Sequence, residues 1–377
     1  MNAEFSEYFK APSNYSEPHD TELDGSTQFP NLNSIEFRSR KNDDGVALLP
    51  FYELLEANED QSIILLATNS YNQRLWNGAV FGYGKFDDIG KPNTGIIKLP
   101  FDSNVTGIGW TGKTMVVFTT ATGTIQFWSL QSEIRQQNGY NLFQVSKKTE
   151  HFGLISGFTL FDGDKKDKAV TGSTDGCLKI WKLGACDIIS EQTYRYAHKA
   201  AITGVSSKPN SDDLFATTSR DHSLSIWDLR SKMPLVNCFK NEDFANTACL
   251  WAQPQNNGVD NLFVGEDSGK MHILDPRKLN EYVVTQTLFE RPIYKFRLSP
   301  SKKSLCILGQ TNTLKVVSMT TGAETIYTDS TACDYVRDVC WINNQNDAQQ
   351  SFYSIGWSKN VGQHSIKESS TSSSQAS

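Results

Sequence analysis

Two sets of residues have the types that nucleophilic catalysis uses. His151, Ser173 and Asp175 form one set, and His198, Ser219 and Asp221 form the other. A nucleophilic hydroxyl, a general base and a carboxylate that orients the base are what acyl transfer needs. Each set is also followed by a tryptophan six residues after its aspartate, Trp181 and Trp227. A catalytic centre occurs once in a chain, whereas a recurring quartet marks a repeated structural unit. In such a unit the Asp and His at the turns bond each other. The Ser hydroxyl and the Trp indole N–H then complete a buried chain from strand to strand. We therefore read all eight residues as structural tetrads.

The remaining chemistry-bearing residues form no second candidate for catalysis. The seven cysteines contain no CxxC pair, and no histidine or carboxylate cluster has metal-ligand spacing. They read as reduced, partly buried thiols of an intracellular protein. GEDSGKM (265–271) falls two residues short of a phosphate-binding loop and reads as a hairpin turn. KKDK (165–168) and Lys302–Lys303 read as solvated loop charge. The expectation is a non-enzyme without catalytic residues, metal or cofactor. A different group stands out for binding: Tyr71, Arg74 and Trp76 lie within six residues in NSYNQRLWNGAVFGYG (69–84). Other turns of the chain carry Asp-Gly or Ser-Gly where this one carries these residues, and Trp and Arg dominate protein–protein hot spots.

The elements that must position these residues follow from an internal repeat. FTTATGTIQFWSL (118–130), VTGSTDGCLKIWKL (170–183), ATTSRDHSLSIWDL (216–229) and FVGEDSGKMHILDP (263–276) align, each an apolar strand, a polar turn and an alternating strand. Their anchors Trp128, Trp181, Trp227 and Leu274 continue to Val317 and His364. Periods in the forties with four short strands each define an all-β fold, a seven-bladed WD-repeat β-propeller. Its b–c hairpins are expected around 63–83, 114–130, 168–183, 214–229, 261–275, 304–319 and 351–367. Blades two, five, six and seven lack the full tetrad and are expected to hold by apolar packing alone. The last blade runs out of chain after its third strand, so NSIEFRSR (33–40) is expected to close the ring as an N-terminal strand. Residues 1–32 read as a flexible acidic arm, 33–367 as the propeller, and 368–377 as a disordered Ser-rich tail. A net charge of −6 argues against direct nucleic-acid binding. No apolar run is long enough for a membrane helix, and no signal peptide opens the chain.

Three segments are similar to a known family. DYVRDVCW (334–341) with SIGW (354–357) resembles the last blade of the methylosome WD-repeat proteins. RLWNGAVFGYGKF (74–86) resembles their blade-one R-x-W-x-G segment, and 196–228 resembles their fourth blade. The likeness covers 34–367 and is nearest to the divergent insect member, which acts in the germ line. It implies a non-catalytic partner of the type II protein arginine methyltransferase. Such a subunit presents Arg/Gly-rich substrates, among them Sm proteins and histone tails, for symmetric dimethylation. It further implies Tudor-domain readers of the product and a cytoplasmic, also nuclear, location. Methyl donor and catalytic carboxylates would belong to the enzyme, and Arg74, Trp76 and Tyr71 would contact it. The alternative from another class is a cullin ubiquitin-ligase substrate receptor using the W-D-x-R segment 227–230.

Overall fold

Turn residues at near-regular intervals cut the chain into strands too short to stand alone. The computed structural model describes residues 51–367 apart from 73–74, 92, 134–138, 164–165, 232–234, 241–242, 254–259, 280, 320–321 and 344–348. The expected closing strand at 33–40, the acidic arm and the Ser-rich tail lie outside the described residues.

The described residues form seven antiparallel sheets, six of four strands and a last one of three. Blade one holds β1 (Phe51–Ala57), β2 (Ile64–Asn72), β3 (Leu75–Tyr83) and β4 (Ile97–Phe101). Blade two holds β5 (Val105–Thr111), β6 (Met115–Thr120), β7 (Thr124–Glu133) and β8 (Gly139–Thr149). Blade three holds β9 (Ile155–Leu160), β10 (Lys168–Ser173), β11 (Leu178–Leu183) and β12 (Ile188–Tyr194). Blade four holds β13 (Ile202–Ser207), β14 (Leu214–Ser219), β15 (Ser223–Asp228) and β16 (Leu235–Lys240). Blade five holds β17 (Asn246–Ala252), β18 (Asn261–Glu266), β19 (Lys270–Leu274) and β20 (Val284–Thr287). Blade six holds β21 (Ile293–Leu298), β22 (Ser304–Gly309), β23 (Leu314–Ser318) and β24 (Thr325–Asp329). Blade seven holds β25 (Val336–Trp341), β26 (Gln349–Gly356) and β27 (Val361–Lys367). All seven expected hairpins are present, and the seven-bladed propeller is the fold.

The core lies between blades rather than at one centre. Tyr52, Leu55, Ile64 and Leu66 of blade one pack with Cys340, Tyr353 and Ile355 of blade seven. Val117, Ile125 and Phe127 of blade two pack with Ala169 and Trp181 of blade three. Burying such side chains fully is worth about 1.5–3 kcal/mol each, so each blade is stable only against its neighbours.

Register explains how neighbours are joined. In every blade the inner strand bulges near its start, at the third residue in blade one and the second in the others: Glu53, Thr106, Ser156, Thr203, Thr247, Tyr294 and Arg337 are passed over in the ladder. A bulge re-aims the extra side chain, here in most blades toward the next blade, while Thr106 meets Thr119 of its own blade at 3.1 Å. Ser156 donates to Ile202 O, Thr203 to Asn246 O at 2.8 Å, Thr247 to Ile293 O and Tyr294 to Val336 O. At the seam between blades seven and one the hydroxyl is replaced by charge. Arg337 Nε lies 2.8 Å from Glu53, whose other oxygen accepts Trp357 Nε1 at 2.8 Å. Beside it Asp338, with no exposed surface, takes a forked pair from Arg297 (2.9 and 2.8 Å), Lys295 (2.8 Å) and the Leu55 amide (3.0 Å). Burial alone would raise the Asp338 carboxyl, but Arg297 and Lys295 outweigh it and hold it far below the usual range.

Of the cysteines, Cys306 and Cys340 are buried, while Cys186, Cys238 and Cys333 are exposed.

Candidate functional site

The tetrads come first because they fix the loops of one propeller face. His151 Nδ1 meets Asp175 at 3.3 Å, and His198 Nδ1 meets Asp221 at 3.3 Å, as the spacing implied. The linking hydroxyl is a different one. His151 Nε2 and Trp181 Nε1 both reach Thr171 Oγ1 at 2.8 Å. His198 Nε2 and Trp227 Nε1 reach Thr217 Oγ1 at 2.7 and 2.8 Å. Ser173 and Ser219 instead cap the turns, accepting the amides of Asp175 and Asp221 at 3.2 and 3.1 Å. The serine assignment is thus corrected. Thr171 and Thr217 point inward from the middle of strand b, whereas the serines end it. Burial lowers His198 and His151, each opposed by its aspartate. Burial also works against the Asp221 carboxylate, but the Ser223 hydroxyl, the amides of Lys199 and Ser223, and His198 hold it at about 2.

The expectation of purely apolar packing in the other blades also needs correction. Blade five buries Glu266 against His272 at 2.6 Å, with Ser268 on the other carboxylate oxygen and Thr285 on Nδ1. Blade seven joins His364 to Ser354 at 2.7 Å and to Tyr327 of blade six at 3.1 Å. Blade two carries threonine pairs, Thr120–Thr122 at 3.0 Å and Thr124–Thr149 at 2.9 Å. A polar turn buried against the next blade needs partners whatever its sequence. Blade six comes nearest to the apolar reading, since all of β22 is buried.

Blade one departs from the pattern at the opening hairpin. The first pair of inner strand with strand b marks a common level: Phe51↔Asn69, Val105↔Thr120, Ile155↔Ser173, Ile202↔Ser219, Asn246↔Glu266, Ile293↔Gly309 and Val336↔Gly356. In six blades strand b ends at that residue. In blade one it continues through Ser70↔Asn77, Tyr71↔Trp76 and Asn72↔Leu75. Three further pairs at ~3.4 Å per residue project the hairpin roughly 10 Å past its counterparts. Its base is rigid. Asn69 Oδ1 accepts the Val105 amide at 3.2 Å, and a Cβ on Gly78 would stand 2.5 Å from Ser103 O. That close approach is why the segment needs glycine after its tryptophan. The backbone therefore sets Tyr71 directly across from Trp76, and Arg74 lies outside the described residues.

The W-D-x-R segment has a local use. Arg230 forks onto Asp228 at 2.9 and 2.8 Å, and Arg277 forks onto Asp275 at 3.0 and 2.7 Å in blade five. The same cap at two strand ends reads as a corner of the repeat.

Comparison with known proteins sharpens the picture. The model "WD domain, G-beta repeat" matches residues 190–228, a span that holds the tetrad of blade four. Among solved structures the chain superposes on the Sqt1 of Chaetomium thermophilum, which was crystallised with the N-terminus of ribosomal protein L10. That match has a TM-score of 0.63 and 14% identity, over 84% of this chain and 87% of that one. It superposes on Raptor of the same organism with a TM-score of 0.64 at 9% identity, covering 84% of this chain and 27% of that one. These likenesses concern the fold alone. Two curated relatives are more specific. Protein valois of Drosophila melanogaster is 27% identical over 96% of this chain and 98% of its own length. Methylosome protein WDR77 of Xenopus laevis is 22% identical over 80% and 86%. The chain is thus similar, over most of its length, to these two relatives. The first likeness runs across nearly the whole chain, so the blade-one segment and the last blade fall within it.

Proposed function

We propose that this chain is the non-catalytic propeller subunit of an arginine-methylation assembly. It docks on the type II protein arginine methyltransferase and presents Arg/Gly-rich substrates, Sm proteins and histone tails among them, for symmetric dimethylation. Tudor-domain proteins then read the product, and the site of action is the cytoplasm and nucleus of germ-line cells. The observation that carries the docking is the projecting hairpin. Its backbone carries the Tyr71↔Trp76 pair past the level at which the other blades turn, and Arg74 lies in the same segment of the sequence. A tryptophan on a rigid projection suits a pocket in a partner, where large buried area and few lost rotamers favour affinity.

The test is binding of the purified enzyme to the wild type and to Trp76→Ala and Arg74→Ala. Trp76→Ala should weaken binding by roughly 2–4 kcal/mol, Arg74→Ala by less, with thermal melting unchanged for both. If Trp76→Ala melts many degrees lower and binds normally when folded, the docking role is refuted. The isolated chain should transfer no methyl group from S-adenosylmethionine to a histone-tail peptide. Capture of a ubiquitin-ligase adaptor through Arg230, without the methyltransferase, would favour the receptor reading instead.

A further inference from the structure

The same face of the propeller carries a second set of presented side chains, across blades three and four. Phe152 is 99% exposed and Tyr196 is 89% exposed, the two most exposed large apolar residues described. Neither sits on a loose loop. The Phe152 amide donates to Asp175 Oδ2 at 3.0 Å, beside the His151 tetrad. Tyr196 stands two residues before His198, whose amide donates to Gly176 O at 3.2 Å. The b–c turn of blade three thus lies between the two aromatics. Tyr196 holds φ +59, a left-handed conformation that costs a non-glycine residue about 1–2 kcal/mol. That strain is borne at a side chain that packs against almost nothing.

Cations accompany them. Arg195, Lys199 and Arg220 are exposed, and among the described residues no ion pair engages any of the three. Lys199 and Arg220 are neighbours through the backbone: the Lys199 amide donates to Asp221 at 2.8 Å, and the Arg220 amide donates to Ala201 O at 2.9 Å. The nearby carboxylates are occupied. Asp175 and Asp221 turn inward to amides and imidazole, and Glu150 pairs with Lys179 at 2.9 Å. In a chain of net charge −6 this is a local row of free cations and bare rings.

We propose that this row, Phe152, Tyr196, Arg195, Lys199 and Arg220, docks an extended acidic segment of a partner protein that bears apolar side chains. The rings supply the desolvated contact, the cations supply charge complementarity, and the loop-to-loop geometry suits an extended chain crossing two blades. Three cations on an acidic molecule are too few to neutralise the phosphates that nucleic-acid affinity depends on, so the partner is a peptide. The surface is separate from the blade-one hairpin, and it would repel the basic substrates proposed above.

The test uses a fluorescent Glu-Glu-Phe repeat peptide of about twelve residues, long enough to cross two blades. A Lys-Lys-Phe repeat and an oligothymidylate of similar length serve as controls, all against the full chain. The acidic peptide alone should bind, and more weakly as salt rises. Lys199→Glu/Arg220→Glu and Phe152→Ala should each weaken it about tenfold, and Tyr196→Gly should do so while relieving strain. Melting temperatures no lower than that of the wild type would show that the variants remain folded. The proposal is overturned if the acidic peptide does not bind, if it binds these variants as well as wild type, or if only the oligothymidylate binds there.

Discussion

Replacing Thr217 by valine tests the tetrad at its least obvious member. The two side chains have nearly the same shape, so no cavity opens, and the site has no exposed surface. What disappears is one hydroxyl serving two partners, His198 Nε2 at 2.7 Å and Trp227 Nε1 at 2.8 Å. The Asp221 carboxylate can only accept, so the imidazole proton sits on Nδ1 facing it, and the Thr217 hydroxyl donates to Nε2 while accepting from the indole. Leaving a buried indole N–H and an imidazole nitrogen unsatisfied costs about 1–3 kcal/mol each. The added methyl returns under about 1 kcal/mol, so the net loss is about 1–6 kcal/mol. Ser219→Ala removes only turn contacts, to the Asp221 amide and Ala200 O at 3.1 and 3.2 Å, for about 1 kcal/mol. Urea unfolding of both variants should give Thr217→Val the larger loss, and the Thr217→Val/Trp227→Phe pair should be strongly non-additive. Equal losses, or a larger one for Ser219→Ala, would refute the linking role of the threonine.

Other expectations follow from the same geometry. His151 and His198 stay neutral in the fold because burial lowers them, while the unfolded chain takes up their protons near pH 6.5. Their contribution is therefore complete above about pH 6.5 and is lost as the pH falls below it; a melting temperature flat from about pH 7.5 to 5.5 would contradict it. Asp221, held at about 2, adds a further loss as the pH falls from about 4 toward 2. Asp338→Asn leaves Lys295 without its carboxylate and Arg297 with Glu56 alone at 2.8 Å, and should cost about 3–5 kcal/mol. Amide exchange should quicken first in β1 and β25, and uniform quickening would show that the seam is not a separate latch. Arg230→Ala, breaking an exposed fork, should cost under about 1 kcal/mol.

What the sequence disclosed depended on whether a feature lies in a turn or inside a strand. Asp175-Gly176, Asp221-His222 and Ser268-Gly269 are turn chemistry at fixed offsets from an aromatic or aliphatic anchor, so hairpins and blade count were legible. Thr171 and Thr217 were not, because a threonine in the middle of a strand is also what strand propensity selects. The only signal for them is spacing: each lies ten residues before its tryptophan. In blade five the histidine moved from the loop into strand c, so His272 and Glu266 fit no tetrad pattern although their chemistry is equivalent. Asp338 looked like an ordinary polar residue, because its partners Lys295 and Arg297 lie some forty positions away in another blade.

The projecting hairpin shows how an absence in the sequence becomes a structure. Between Asn69 and Gly78 the chain has no glycine, proline or aspartate, the residues that end strand b at the common level elsewhere. With nothing to stop it, the ladder continues for three more pairs before it can reverse. An isolated ribbon of that kind is marginal in water, and this one persists because Asn69 and Gly78 clamp its base to blade two. Lengthening a hairpin past the packed part of a blade gains no interblade burial, so stability does not account for it. The docking role proposed above would account for it.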